Sequence, residues 1–520
     1  MTVAHSESWQ PEVVVIGSGI GGLATAARLA RHGVRVLVLE QHTVPGGSAS
    51  YFTRAGYRFD VGASLLYGLG TEGTINFVAE ALAEVGETVE TRRDDVQIHY
   101  HLPDGMEIRT HYDREHFLDE LTSYFPRERA GIRAFYDAAM EAYRVMARVP
   151  LIALDDVPGL IRGVATSPWD ALRMSQAALT TLGDLARRYL RDVRLRRFID
   201  IETFCWALTG AGATPLVNAA LVFGDRHVNG VRYPLGGCSV IAEKLVAGIE
   251  RHGGRIRYGS RVAAGLVRQG RVQGVRLATG EDITARAVVS NATVWDTYGR
   301  LFREHPLASV MFREQSLRYA QADSFTSLFG GIASSHLPPE TVVHHIVVND
   351  WEAYDKPRGM LFVSLPSLHD ASLAPPGYHN VHAFMVGTDP ACRRWWRRAP
   401  YPGLPGSQGS CRPPHAAHAG AGHPECFRSR AGCVGRYAAD KRALPGANPW
   451  HLWTLAAPWA GRTAQATGRF THSRSLLRRG QLLSRPGRAF CRRFRVELRR
   501  THPPGVVSRL WADLFCIGAH

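Results

Sequence analysis

The chain opens with an unbroken apolar run, Val13 to Ile16, followed by glycines, a stretch with helical period, and a second apolar run, Val34 to Leu39. Short runs without polar alternation suit strands buried on both faces of a parallel sheet. Between them, Ala24 to Ala30 is rich in strong helix formers, sets arginine on the solvent side, and stops at His32-Gly33. The pattern predicts strand, helix and strand in one unit. Further on, "HYHLPDGMEIRTHYD" alternates around Asp104-Gly105 and predicts a β-hairpin. From about His116 to Leu208 the period turns helical, which predicts a helical lobe. Later, turn signals at Gln269-Gly270 and Thr279-Gly280 predict two hairpins, and Ala287 to Ser290 predicts another buried strand.

The first unit carries chemistry. Gly17, Gly19 and Gly22 form G-x-G-x-x-G between strand and helix. The first glycine permits a tight turn, the second lets backbone approach a pyrophosphate, and the third lets the helix pack close to the sheet. Phosphates would sit at the helix N-terminus, where free N–H groups and the dipole favour anions. The second strand ends at Glu40, a carboxylate that accepts a ribose hydroxyl and repels a 2′-phosphate. This is the pattern of a dinucleotide site. Just beyond it, "EQHTVPGGSASYFTRAGYRFDVGAS" supplies Gly46, Gly47 and Ser48, an arrangement that resembles the FAD-binding amine oxidase and phytoene desaturase superfamily. Val262, just after the strand that follows "ERHGGRIRY", is a candidate to present its backbone to the adenine; plain core is the alternative.

Composition changes the picture only through its distribution. The formal charge is +16, yet residues 391–520 hold 23 of the 62 basic residues against four acids, a local +19. The first 390 residues carry 39 basic and 42 acidic groups, or −3, so the bulk of the chain gives no reason to expect nucleic acid. Only Cys205 and Cys238 of eight cysteines lie before the tail, which suits a reducing compartment. The start, "MTVAHSESWQPE", shows no secretory signal, and no uncharged apolar run reaches the length of a spanning helix. A cytoplasmic protein, at most peripherally membrane-associated, is expected.

Six blocks then carry a closer resemblance: "VVVIGSGIGGLATAARLA", "PGGSASYFTRAGYRFDVGAS", "FIDIETFCWAL", "FGDRHVNGVRYPLGG", "VVSNATVWDTYGRLF" and "LPPETVVHHIVVNDWE". Over about residues 12–389 the chain resembles the carotenoid isomerase (prolycopene isomerase-like) branch of the phytoene desaturase family. The resemblance implies an α/β fold: a two-part Rossmann-like FAD-binding domain (1–90 and 226–300) with an inserted mixed α+β substrate domain (91–225 and 301–390). It implies FAD as cofactor, a lipophilic carotenoid as substrate, and conversion of poly-cis to all-trans lycopene without net redox change. A carotenoid desaturase on the same fold is the second reading, and a catalytically inert product the third. Asp225, Arg226 and His227, with Tyr233 to Gly237, are candidates to line the substrate end of the flavin. The alternative is a structural Asp225–Arg226 ion pair and a satisfied core contact for His227. His344 and His345 read as neighbours on a strand. No metal spacing stands out in the front part, "ALTGAGATP" is richer in glycine than the family leads one to expect, and oligomeric state is left open.

The tail does not fit. The family closes its flavin site with a segment of the form "GLYCVGDSCFPGQG", and nothing like it is written here. Read one base later, however, the codons behind "RSLLRRGQLLSRPG" (Arg474 to Gly487) can spell that segment through their wobble bases alone. In the same frame "WHLWTL" (Trp450 to Leu455) becomes "GTYGPL", and "AADKRALPGAN" (Ala438 to Asn448) becomes "PRTNERFLGRT". A slip of the reading frame near Ala391 to Trp396 is therefore expected, leaving 391–520 as a non-native tail, largely disordered if translated as written. His415, His418, His423 and Cys426 then imply no zinc site.

Overall fold

A computed structural model describes residues 9–62, 64–70, 76–148, 157–318, 325–356 and 359–386, together with three short strands further on. The two opening apolar runs form Val13–Ile16 and Val36–Leu39, the central pair of a four-stranded parallel sheet completed by Ala287–Ser290 and Arg255–Arg257. The second strand starts two residues later than its apolar run because Val34 still closes the helix, its N–H bonding the Leu29 carbonyl. The helix Ile20–Arg31 ends at His32, with Gly33 left-handed at φ +79°, as the sequence predicts. Leu23, Ala26 and Ala27 bury this helix against Val15, Val38, Leu82, Leu245 and Ile249. Each leucine so buried contributes about 1.5–3 kcal/mol. The opposite face of the sheet is covered by the meander Val262–Arg268, Arg271–Leu277 and Asp282–Thr284, whose turns fall at the two predicted dipeptides.

Among the described residues, the second lobe joins seven helices to a seven-stranded sheet. The helices are Arg114–Tyr124, Arg129–Arg148, Val157–Thr166, Pro168–Leu179, Leu182–Tyr189, Val193–Ala207 and Leu216–Val228. The sheet runs, in spatial order, His451–Leu455, Phe325–Ala333, Tyr378–Val386, Met360–Ser364, His344–Val348, Val96–His101 and Glu107–His111. Only the pairing of His344–Val348 with Val96–His101 is parallel. The predicted hairpin is Val96–His101 with Glu107–His111, and left-handed Asp104 and Gly105 make its turn. Ile98, Tyr100, Ile108, Ile346 and Phe362 face the helices, where they meet Phe117, Phe135 and Phe198 in the largest core.

The expected division at 225/226 falls inside the helix Leu216–Val228, which runs on to Asn229 and left-handed Gly230. In the tail, strands form at Phe427–Ser429, Gly432–Val434 and His451–Leu455; the expectation of a largely disordered tail otherwise falls on residues outside the described ones. The last of these pairs with the exposed edge of Phe325–Phe329. Edge pairing uses main-chain groups, so it constrains side chains little.

Candidate dinucleotide and substrate site

The glycine loop behaves as its spacing predicts. Gly17 is left-handed at φ +92°, and its N–H bonds the Leu39 carbonyl, 2.8 Å away, which stitches the turn to the second strand. A Cβ on Gly22 would stand 2.3 Å from the Gly17 carbonyl oxygen, so no other residue fits. No side chain caps the helix at Gly19, which leaves the N–H groups of its first turn for an anion. Gly46 and Gly47, both left-handed, dock on this loop: the Gly46 N–H bonds the Ser18 carbonyl at 2.9 Å, and Gly47 comes so close that its Cβ would lie 3.3 Å from the Gly19 Cα. Ser48 follows, exposed. The structure thus brings together two motifs that the sequence separates.

Glu40 is buried and does more than await a ribose. Its carboxylate accepts from the Ser18 N–H (2.8 Å), the Ser18 hydroxyl (2.6 Å) and the His42 N–H (2.7 Å). A carboxylate has about four acceptor positions, so capacity remains for one hydroxyl while the rest freeze the loop. Val262 is core by its side chain, packed with Val14, Leu37 and Leu277. It follows Ser260, whose N–H bonds the Glu40 carbonyl at 2.7 Å, so its backbone stands at the same end of the sheet. Sequence reasoning missed Asn291, which lies under Gly17, Gly19 and Gly22 within 4 Å of where their Cβ atoms would be. The signal was present in the block "SNATVWDTYG".

From the docked glycines a chain of contacts leads into the second lobe. The hairpin Tyr51–Arg54 and Tyr57–Asp60 leaves Ser48 and returns so close that a Cβ on Gly62 would lie 2.4 Å from the Ser48 carbonyl. Asp60, at its end, accepts from the Tyr233 hydroxyl (2.6 Å) and the Cys238 N–H (2.9 Å). Burial raises the Asp60 pKa against the opposing pull of these donors. Left-handed Gly236 and Gly237 make the intervening turn, and the Gly236 N–H bonds Asp370 at 2.6 Å. Beside it, Asp94 and His369 are joined at 2.7 Å. Tyr233 to Gly237 therefore reaches the glycine loop through Asp60, and nothing in the sequence joins Asp60, Asp94 and His369.

The same hairpin starts an aromatic wall. Phe52 packs on Phe59 (5.2 Å between centroids) and edge-on to Phe329 (5.0 Å). Phe329 stacks on His382 at 4.3 Å, His382 leads to Phe384 at 5.2 Å, and Phe384 stacks on Phe362 at 4.6 Å. Neither ring nitrogen of His382 has a hydrogen-bond partner among the described residues, and burial drives its pKa down to about 3. It is a neutral aromatic ring in all but name.

Asp225, Arg226 and His227 lie elsewhere, at the end of the helix Leu216–Val228, each held by specific partners, although Arg226 Nη2 has no hydrogen-bond partner among the described residues. Asp225 accepts from the Gly68 N–H (2.6 Å), the Tyr143 hydroxyl (2.8 Å) and the Asn229 amide (2.8 Å). Arg226 pairs with Glu202 at 2.7 Å, not with Asp225, and lies over the rings of Phe117, Tyr136 and Phe223. His227 faces the Tyr112 carbonyl with Nδ1 (3.0 Å) and accepts from Arg226 at Nε2 (3.2 Å). Burial first, then the Arg226 charge, lowers its pKa to about 3, so it stays neutral. No hydrogen bond between these three side chains and Tyr233 to Gly237 is present among the described residues. His344 and His345 are strand neighbours, as expected.

The chain is 39% identical to the chloroplastic prolycopene isomerase of Daucus carota over 388 residues, 74% of this chain and 63% of that one. The chain is thus similar to prolycopene isomerases. A chloroplastic prolycopene isomerase of Arabidopsis thaliana agrees at 38% over 72% of this chain and 63% of its own length, so the chain spans a little under two thirds of these relatives. A neurosporene-forming phytoene desaturase of Cereibacter sphaeroides is 29% identical over 71% of this chain and 72% of its own. Residues 15–82 match the NAD(P)-binding Rossmann-like domain family. A crystal structure of an oxidoreductase from Methanosarcina mazei has the same fold, with a TM-score of 0.51 at 20% identity over 74% of this chain and 81% of that one.

Proposed function

We propose that this protein binds FAD and isomerises poly-cis lycopene to the all-trans form without net redox change. The observation that carries the proposal is the similarity to prolycopene isomerases over 74% and 72% of the chain. The residues fit the cofactor: an uncapped helix end and Gly46-Gly47 for the pyrophosphate, Glu40 for the ribose, Val262 for the adenine edge. Bound FAD would supply electron or proton exchange with a cis double bond, lowering its order so that it can rotate. The chain's own residues orient and exclude water. The wall from Phe52 to Phe362 offers a polyene a run of π faces with little polar competition, and Asp60 locks the Tyr233 to Gly237 turn against the cofactor loop. Asp225, Arg226 and His227 act in this reading as support behind the wall, holding Gly68 and the helical layer in place.

Two further parts belong to the proposal. Helices Val157–Thr166 and Pro168–Leu179 expose Ile161, Val164, Trp169, Leu172 and Leu179, the last at 87%, which supports docking on a membrane surface where the substrate dissolves. Among the described residues no helix is long and apolar enough to cross one. The written tail is a frame-shifted version of the native closing segment, a reading supported by three recoded blocks in order and by the +19 concentrated after residue 390. The test is anaerobic incubation of the protein with poly-cis lycopene and reduced FAD, with products resolved by chromatography. All-trans lycopene with unchanged flavin oxidation state supports isomerisation; a change in the number of double bonds transfers the proposal to the desaturase reading, which the Cereibacter relative favours. A protein that holds no FAD and turns over nothing is the outcome expected of the written frame, and resequencing the codons for Gly387 to Pro400 then decides whether a base is missing.

A further inference from the structure

Three buried histidines come together on the side of the seven-stranded sheet away from the main helical core. His99 and His101 alternate on Val96–His101, and the parallel register sets His345 of the neighbouring strand directly beside His99. Glu107 stands opposite His101 across the hairpin, on the same face. One imidazole nitrogen from each of His99, His101 and His345 lies within 4.8 Å of one from each of the others. All three rings are less than a tenth exposed.

Proton bookkeeping within this group has no comfortable neutral solution. His345 Nε2 lies 3.1 Å from the Val342 carbonyl, an acceptor, so Nε2 carries the proton and Nδ1 presents a lone pair. That lone pair faces His101 Nε2 at 3.1 Å. If His101 donates there, a neutral ring turns its Nδ1 lone pair toward the Glu107 carboxylate, 3.3 Å away, acceptor against acceptor. If His101 instead protonates Nδ1 to satisfy Glu107, two lone pairs confront each other between His101 and His345. The second arrangement is the one metal sites use: each ligating histidine donates its outer N–H to a carboxylate or carbonyl and turns its inner nitrogen to the ion. His99 repeats it, with Nε2 3.1 Å from the other Glu107 oxygen. In a tetrahedral zinc site with Zn–N near 2.0–2.1 Å, ligand nitrogens stand roughly 3.3 Å apart, close to the His101–His345 separation.

We infer that His99, His101 and His345 bind a divalent transition metal ion, with Glu107 as the outer partner of His99 and His101 and the Val342 carbonyl as that of His345. Imidazole ligands favour zinc, copper or nickel over calcium and magnesium. The ion clamps the strand Val96–His101 to a strand almost 250 residues later, before and after the dinucleotide lobe returns. His111, His116 and Glu120 form a second group, but His116 is exposed and lies stacked on His111, ring to ring at 3.8 Å, so it does not share this architecture.

The test uses the purified full-length protein loaded with Zn2+, dialysed, and measured for bound metal and thermal unfolding; Co2+ in place of Zn2+ gives a visible spectrum that reports nitrogen ligation. His415, His418, His423 and Cys426 are able to hold adventitious metal, so the readout is the difference between proteins that share the tail. Wild type should retain about one equivalent more than His99→Asn or His345→Asn, while His116→Ala should match wild type. Glu107→Gln, at a half-exposed position, should fold normally and bind roughly ten- to a hundredfold more weakly. Equal retention by wild type, His345→Asn and Glu107→Gln, with no change in melting temperature on adding Zn2+, overturns the inference and leaves a hydrogen-bonded histidine chain.

Discussion

Buried polar side chains in this protein divide into those that are paired and those that are not, and the two groups respond differently to substitution. Arg226 and Glu202 are each less than 5% exposed and 2.7 Å apart, so removing one partner strands the other. Glu202→Ala should destabilise by about 3–5 kcal/mol in denaturant unfolding, and the apolar double replacement Arg226→Met with Glu202→Leu should recover most of that loss. His382 is the opposite case, because both of its nitrogens lack partners among the described residues. Its folded pKa of about 3 and that of His227 lie below the usual histidine value, so the unfolded chain binds protons that the native one refuses. Stability contributed by their neutral forms is complete above about pH 6.5 and is lost as pH falls toward 3, at up to ~1.4 kcal/mol per pH unit for each group. His382→Phe should keep the stacking on Phe329 and Phe384, cost little at pH 7.5, and shallow the decline of melting temperature between pH 6.5 and 4.

Local elements carry the candidate dinucleotide site, and here the sequence was most informative. The strand, glycine turn, helix, strand and acid were all readable before the structure because each depends on residues close in the chain. Gly22→Ala should therefore abolish dinucleotide binding: its Cβ meets the Gly17 carbonyl at 2.3 Å, and the turn and helix cannot both keep their places. The expected result is a folded protein whose flavin absorbance per mole falls at least tenfold relative to wild type, provided that the native closing segment has first been restored. The links from Ser48 through Gly62 and Asp60 to Tyr233 were not readable. They join residues more than 170 positions apart, and Asp60 looked like one more polar residue at the end of a hairpin. The ion-pair partner of Arg226 was hidden for a related reason. Asp225 is next to it in sequence, but successive residues on a helix point in different directions, and Glu202 on the neighbouring helix faces the guanidinium instead.

Across the whole molecule, the exposed apolar side chains of Val157–Thr166 and Pro168–Leu179 set the expected behaviour toward membranes. Trp169→Glu with Leu172→Glu should reduce sedimentation with vesicles several-fold while leaving the melting temperature within about a degree, since both side chains are exposed. If vesicle binding is unchanged, the membrane-facing surface lies elsewhere.

What the sequence determined alone was local or compositional: the βαβ unit and its glycines, the hairpins at Asp104-Gly105 and Gln269-Gly270, the helical stretch, the resemblance to the carotenoid isomerase branch, and the abrupt change of charge after residue 390. These follow from periodicity, turn chemistry and motif order, which need no knowledge of what lies across the fold. Only the tertiary structure decided which distant groups share a surface. It docked Gly46-Gly47 on Gly19, aligned Phe52 with Phe329 and His382, paired Arg226 with Glu202, and placed His345 beside His99. Strand register and helix packing fix those neighbours, and both are set by the burial of side chains drawn from the whole chain.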